Sequence, residues 1–262
     1  MRIDLAEGGL EAAWWGPGPE ARPTILLLHE GLGSVPLWRD LPERLVAATG
    51  CGVMAYSRFG YGQSDGIALP RPLDYLLREG RSVLPRVLDA AGIRRCILFG
   101  HSDGGSIAIA HAGGAADPRV EGLVLLAPHV IVEAISLDGI RATLQRWEAG
   151  DLRARLARHH RDPEAAFLGW SGAWLDPAFP EVFDLRPEVA RIRIPMLVIQ
   201  GEADAYGTAE QVHAIARAAT APVETRLLTG TGHVPHQEAP ETVLAAVREF
   251  AARIFEAGTP SP

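Results

Sequence analysis

The chain contains no lysine: all 25 of its basic residues are arginine. Schiff-base chemistry and a phosphate-loop lysine are therefore excluded. The absence goes with an abundance of alanine and reads as a compositional bias of the source genome. Cysteine is nearly absent too. Cys51 and Cys96 are the only two, and each borders or opens an apolar run, where inert buried thiols are expected. A disulfide framework is excluded, and a cytoplasmic location is the expectation. Acidic residues outnumber basic ones, 25 − 32 = −7, so there is no broad basic surface and no nucleic acid is expected as a partner. No apolar run approaches the ~20 residues of a membrane span. Met1–Glu7 lacks the apolar stretch of a signal peptide, so no membrane partner is expected. Internal repeats and low-complexity segments are missing as well.

What is present is the composition of a packed globular chain, with 47% hydrophobic and 22% charged residues. A length of 262 residues accommodates one large α/β domain. The apolar runs are short and continuous: Thr24–Leu28, Gly52–Tyr56, Cys96–Phe99, Leu123–Ala127 and Pro195–Ile199. Such runs predict strands buried on both faces of a parallel sheet. Arg2–Leu5 and Leu10–Trp15 predict a hairpin turned by Gly8-Gly9, and Val223–Leu228 alternates like an outer strand. Helical spacing marks Leu37–Ala48, Tyr75–Ala91, Ser102–Ala112, Thr208–Ala219 and Glu241–Phe255. Strand and helix thus alternate as in a doubly wound α/β fold. Residues 131–190 break the rhythm. They hold helix-like Leu137–Trp147 and Leu152–His160, scattered prolines and three tryptophans. A helical cap inserted at 131–190 into a core formed by 1–130 and 191–262 accounts for this.

The strongest local signal is Gly100-His101-Ser102-Asp103-Gly104, which follows one predicted strand and opens a helix. A G-x-S-x-G turn between strand and helix exposes the serine oxygen above the sheet and aims free N–H groups at a developing anion. The alternative is a glycine-rich turn with a helix-capping serine. A nucleophilic serine needs a base, and the base an orienting acid. His233 lies in the glycine-rich loop after Val223–Leu228, and Asp204 in the loop after Pro195–Ile199. Loops at the carboxyl ends of strands are where open α/β sheets place their sites. Adjacent His159 and His160 point about 100° apart on a helix and read as a solvated face. No metal and no cofactor is expected.

The chain order Ser102, Asp204, His233 is similar to that of the α/β-hydrolase family. The resemblance runs from about residue 10 to 255. His29-Glu30-Gly31-Leu32-Gly33 resembles the family's oxyanion loop, and Arg58-Phe59-Gly60-Tyr61-Gly62-Gln63-Ser64 its R-x-G-[FY]-G-x-S turn. Gly201-x-x-Asp204 and Gly232-His233 with Glu238 and Pro240 resemble its acid and histidine loops. The likeness is greatest to small cap-bearing bacterial carboxylesterases and to ring-cleavage or lactone hydrolases.

The resemblance implies a mostly parallel eight-stranded sheet with helices on both faces, and Ser102, Asp204 and His233 as catalytic residues. The oxyanion N–H groups come from Asp103 and from Gly31, or from Leu32 if the loop is one residue longer. Two positions depart from the family. Glu30 stands where glycine is usual. Asp103 puts a carboxylate beside the oxyanion hole, with Arg58 as a partner by position or the helix dipole as its counter-charge. Haloalkane dehalogenases and epoxide hydrolases of this fold have Asp at the elbow centre, where this chain has Ser102. The expected substrate is a small apolar or aromatic acyl compound, cleaved at an ester, thioester or lactone bond. Trp170, Trp174, Phe167, His129 and Tyr206 are the expected substrate contacts. Trp147, Phe179 and His236 are further candidates. Two other readings stand beside this one: a hydrolase of carbon–carbon bonds in a dienoate or β-diketone, and a non-catalytic ligand-binding protein on the same fold.

Overall fold

The computed structural model describes residues 1–115 and 117–256; the last six residues of the expected second core segment lie outside them. Each continuous apolar run is a strand: β3 (Thr24–Leu28), β4 (Gly52–Tyr56), β5 (Cys96–His101), β6 (Val120–Leu126) and β7 (Met196–Gly201). Every residue of β3, β4, β5 and β7 is buried, as befits strands covered on both faces. With β1 (Arg2–Leu5), β2 (Gly8–Trp15) and β8 (Val223–Leu228) they form one eight-stranded sheet. The strand order is β1-β2-β4-β3-β5-β6-β7-β8. β2 runs antiparallel to both β1 and β4, and all other pairs are parallel. β8 is an edge strand, which explains its alternating exposure.

The first hairpin differs from the expectation. Leu5 pairs with Gly8, so Ala6-Glu7 forms the turn and both glycines belong to β2. Gly8 has a φ of 145°, a conformation that favours glycine, and Gly9 lies under the flexible Arg2 side chain. A Cβ on Gly9 would overlap the Arg2 guanidinium lying across it, and the Gly9 N–H donates to Asp65 at 2.7 Å.

The pleat sorts the core into two layers. Ile25, Leu27, Val53 and Phe99 pack with Leu45 of α1 (Leu41–Thr49) and with Val247 and Phe250 of α12 (Pro240–Glu256). Leu26, Leu28, Met54 and Leu98 face the opposite way. They join Leu76 of α2 (Tyr75–Arg78), Leu88 of α3 (Leu84–Ala90) and Ile107 of α4 (Asp103–Ala115). Truncating one such fully buried leucine to alanine costs roughly 2–5 kcal/mol. The segment Glu79–Val83 between α2 and α3 widens to a π-helical turn. There the Gly80 carbonyl accepts from His111 of α4 at 2.8 Å, and a Cβ on Gly80 would press against Ile107 and Ala110 of α4.

Between β6 and β7 come five helices: α5 (Ala134–Glu148), α6 (Asp151–Leu156), α7 (Pro163–Leu175), α8 (Phe179–Val182) and α9 (Arg186–Arg191). α5 packs on α6 and α7, whereas α9 packs on α4 and on α10 (Ala209–Ala218). The Leu185 N–H donates to the Val130 carbonyl at 2.9 Å and draws the two ends of the insert together. α6 stops at Leu156, short of the expected His160. His160 is buried rather than solvated. It accepts from the Gly62 N–H at 3.0 Å and donates to the Leu32 carbonyl at 3.1 Å, tying the insert to two core loops. Among the described residues no helix is long and apolar enough to cross a membrane.

Candidate active site

β5 ends at His101, α4 begins at Asp103, and Ser102 occupies the single residue between. Its φ is 52°, a left-handed conformation that a side chain adopts at a cost of about 1–3 kcal/mol. Space explains the flanking glycines. A Cβ on Gly104 would overlap the Leu28 carbonyl of β3, and one on Gly100 the carbonyl of Gly104. Backbone bonds hold the turn: the Ser102 N–H donates to Leu126 at 2.9 Å, and its carbonyl accepts from Gly105 and Ser106 at 2.8 and 3.1 Å.

The Ser102 Oγ is 3.0 Å from Nε2 of His233. Nδ1 of that ring lies 2.8 and 2.9 Å from the two carboxylate oxygens of Asp204. A carboxylate only accepts, so Nδ1 carries the proton and Nε2 is free to accept from the serine. Asp204 also accepts from Gln200 Nε2 at 2.7 Å and from the Tyr206 N–H at 2.8 Å. Burial opposes ionisation of Asp204, but the bond and charge of His233 outweigh it and hold the carboxyl below its usual range. Glu238 of α11 (Pro235–Glu238) fixes the histidine loop. It accepts from the N–H groups on both sides of His233, Gly232 at 2.6 Å and Val234 at 2.9 Å.

The buried Arg58 organises the loop after β3. Its guanidinium donates to the carbonyls of His29 and Glu30 at 2.5 and 3.0 Å, and its N–H donates to His29 Nε2 at 3.0 Å. The Glu30 carbonyl further accepts from His29 Nδ1 at 2.7 Å and from the Gly33 N–H at 3.1 Å. A trans peptide sets N–H opposite C=O. The Gly31 N–H therefore points away from Arg58.

Arg58 also approaches Asp103, at 3.9 Å. That carboxylate has two donors besides, Tyr75 Oη at 2.5 Å and Trp174 Nε1 at 3.2 Å. Asp103 is thus bonded away from Ser102. Burial nevertheless raises its pKa, against the opposing charge of Arg58.

A cavity of about 220 Å³ opens over Ser102, lined among others by Gly31, Leu32, Asp103, His129, Trp170, Trp174, Tyr206 and His233. Phe167 does not line it. It is fully buried and stacks on Trp147 at 4.4 Å within the insert. Phe179 packs on Trp174 and Phe183 in the same way, and His236 lies against Trp38 and His101. Sequence reasoning missed the cavity positions Glu30, Ser136, Ile140 and Val234. The sequence marks Glu30 only as a departure from the family, and the others carry no local signal. Trp170 is seated directly on Gly31, where a Cβ would overlap its indole nitrogen.

Several histidines are buried in neutral form. Burial pushes His129 and His236 down to about 3 from an ordinary value of 6.5. It also lowers His29, His111 and His160. Folded pKa values below the unfolded ones give stability that is complete above about pH 6.5 and is lost as the pH falls from there toward about 3. The expected result is a urea midpoint that is flat above about pH 7 and falls below about pH 6.5, each histidine adding up to about 1.4 kcal/mol per pH unit. An unchanged midpoint at about pH 5.5 contradicts it.

A family model described as "Alpha/beta hydrolase family" matches residues 25–247. Among curated proteins, epoxide hydrolase 3 of Xenopus tropicalis is 22% identical over 95% of this chain and 76% of its own length. Lipase LipV of Mycobacterium tuberculosis is 27% identical over 68% of this chain and 61% of its own length. Among solved structures, a hydrolase from Pseudomonas aeruginosa PA01 superposes with a TM-score of 0.71 at 26% identity, covering 95% of this chain and 97% of that one.

Proposed function

The chain belongs to the α/β-hydrolase family, and from that premise we propose that it is a carboxylesterase-like serine hydrolase. It cleaves an ester, thioester or lactone of a small apolar or aromatic acyl compound through an acyl-enzyme. The observation that carries the reading is the unbroken line from Ser102 Oγ through His233 to Asp204, at 3.0 and 2.8 Å. Ser102 attacks the carbonyl carbon as Nε2 of His233 takes its proton. The imidazolium, held by Asp204, then protonates the leaving group. The N–H groups of Gly31 and Asp103 receive the oxyanion. Water, deprotonated by His233, finally releases the acid. We assign the protein to the cytoplasm because both cysteines are free and buried. We assign residues 131–190 as a cap that sets selectivity.

Rapid mixing with an aryl acetate tests the reading. An acyl-enzyme releases aryl alcohol in a burst stoichiometric with enzyme when deacylation is the slower step. Covalent labelling of Ser102 by a fluorophosphonate is the companion result. Absence of both turnover and labelling would favour the non-catalytic, ligand-binding reading. The carbon–carbon reading has less support. A dienoate brings a carboxylate into a cavity lined by Glu30 and, among the described residues, by no arginine.

The cap contacts separate into two kinds. Trp170 lines the cavity and rests on Gly31. Trp174 donates to Tyr75 and Asp103 at 3.0 and 3.2 Å. Trp170→Ala is expected to shift the preference among acyl chains by ~1–3 kcal/mol in kcat/KM ratios. Trp174→Ala is expected to act mainly on stability and on the rate for every chain. Rates for C2 to C8 esters and melting temperatures check both; equal loss across the series in Trp170→Ala sinks the assignment.

A further inference from the structure

Glu30 differs from every other group around the cavity. It lines the cavity beside Gly31 and Leu32, and its carboxylate folds back over Gly33. The side chain sits deep among His29, His101 and His160, yet about 30% of it remains open to solvent. No described N–H or O–H donates to it within hydrogen-bond distance. His101 Nδ1 approaches it to 3.6 Å, beyond that distance. Nε2 of that ring donates to the His233 carbonyl at 2.7 Å, which commits His101 to the histidine loop. Asp103, the other carboxylate at the cavity, already has Tyr75, Trp174 and Arg58. Among the described residues no arginine lines the cavity, and the chain has no lysine.

An accessible carboxyl of this kind is ionised near neutral pH and keeps water as its partner. A purely apolar acyl group pressed against it strips that water and returns nothing. A carboxylate on the substrate meets like charge. A hydroxyl or an ammonium replaces the water with a hydrogen bond.

Resting on the hydrolase reading above, we propose that Glu30 is a specificity-determining residue. It selects small acyl compounds that carry a hydrogen-bond donor, a hydroxyl or an ammonium, near the scissile carbonyl, and it rejects those that carry a carboxylate. The remaining walls hold the apolar part of the same molecule.

The test uses the full chain, Glu30→Gln and Glu30→Leu, with four phenyl esters: propionate, glycolate, glycinate and hemisuccinate. Dividing each wild-type kcat/KM by that of the variant cancels the intrinsic reactivity of the ester. Relative to propionate, the glycinate ratio should be at least about tenfold higher and the hemisuccinate ratio at least about tenfold lower in both variants. Gln keeps an acceptor oxygen, so the glycolate ratio should rise only in Glu30→Leu. A rise for glycinate alone identifies an ammonium as the donor, and a rise for glycolate in Glu30→Leu a hydroxyl. Four equal ratios in both variants overturn the proposal. Should the variants fail to fold, the wild-type protein still decides it: hemisuccinate cleaved as fast as propionate is the overturning result. If no ester is cleaved, the hydrolase reading is what fails. Binding of benzylamine, benzyl alcohol and benzoate to the wild-type protein, read by ligand-observed NMR, then tests Glu30 alone, and benzoate binding as tightly as the other two overturns it.

Discussion

Ser102→Ala is expected to lower kcat by a factor on the order of 10⁴–10⁶ while leaving the fold and the melting temperature nearly unchanged. The magnitude follows from what the hydroxyl does. It supplies the only atom that can bond covalently to the acyl carbon, and without it water must attack directly. What survives is the contribution of binding and of the oxyanion N–H groups. The fold should survive because the elbow is held by its backbone. The Ser102 N–H bonds to Leu126 and its carbonyl to Gly105 and Ser106, and alanine keeps all three. The hydroxyl has one protein partner, His233 Nε2 at 3.0 Å, which the cavity can hydrate. The φ of 52° is equally unfavourable for alanine and serine, so strain does not change. The measurement pairs steady-state hydrolysis of an aryl ester with a thermal melt. A purified variant retaining more than a few per cent of the wild-type rate would remove Ser102 from the mechanism.

How legible each part of this molecule was depends on whether its signal is local. Strands β3 to β7 were readable because a strand covered on both faces must be apolar along its whole length, and Thr24–Leu28 is fully buried. The elbow was readable because contacts between Gly104 and Leu28 admit only glycine. Helix α7 was not readable. Phe167, Trp170, Ala173 and Trp174 are all buried, and a helix enclosed on several sides loses the amphipathic period that marks a surface helix. The hairpin turn was misplaced for a related reason. Glycine serves turns and strand backbone with positive φ alike, and only the pairing of Leu5 with Gly8 tells them apart. At the site, Arg58 could be paired with Asp103 by motif position. Tyr75 and Trp174, 28 and 71 residues away in sequence, reach it only through the fold. Phe167 was expected at the cavity because it is aromatic and close to Trp170, but aromatics fill cores as readily as pockets. His160 lies beyond the end of α6 at Leu156, so the helical spacing that would give it a solvated face does not reach it.

Asp204→Asn is expected to lower kcat by about 10⁴, with Glu202→Gln changing it little. Asp204 accepts three donors: His233 Nδ1, Gln200 Nε2 and the Tyr206 N–H. An asparagine has one accepting oxygen where the carboxylate has two. If that oxygen keeps Tyr206, it still lies 2.9 Å from His233 Nδ1, but the new NH₂ group then sets a donor against both His233 Nδ1 and Gln200 Nε2. The clash is relieved when Nδ1 gives up its proton to accept from the amide; the remaining proton then sits on Nε2, and the ring can no longer receive the proton of Ser102. If the oxygen turns toward His233 and Gln200, the NH₂ group confronts the Tyr206 N–H and the acid loop must shift. The negative charge that stabilises the imidazolium is lost in both cases. Glu202 has no such role: its side chain is exposed, and its N–H donates to the Leu228 carbonyl at 3.0 Å, a bond that glutamine keeps. The kinetics of both variants on one aryl ester, above about pH 7, where the buried histidines are neutral in either state, decide the matter. A full rate in Asp204→Asn with a collapsed rate in Glu202→Gln would move the acid two residues upstream and break the line from Ser102 through His233 on which the mechanism rests.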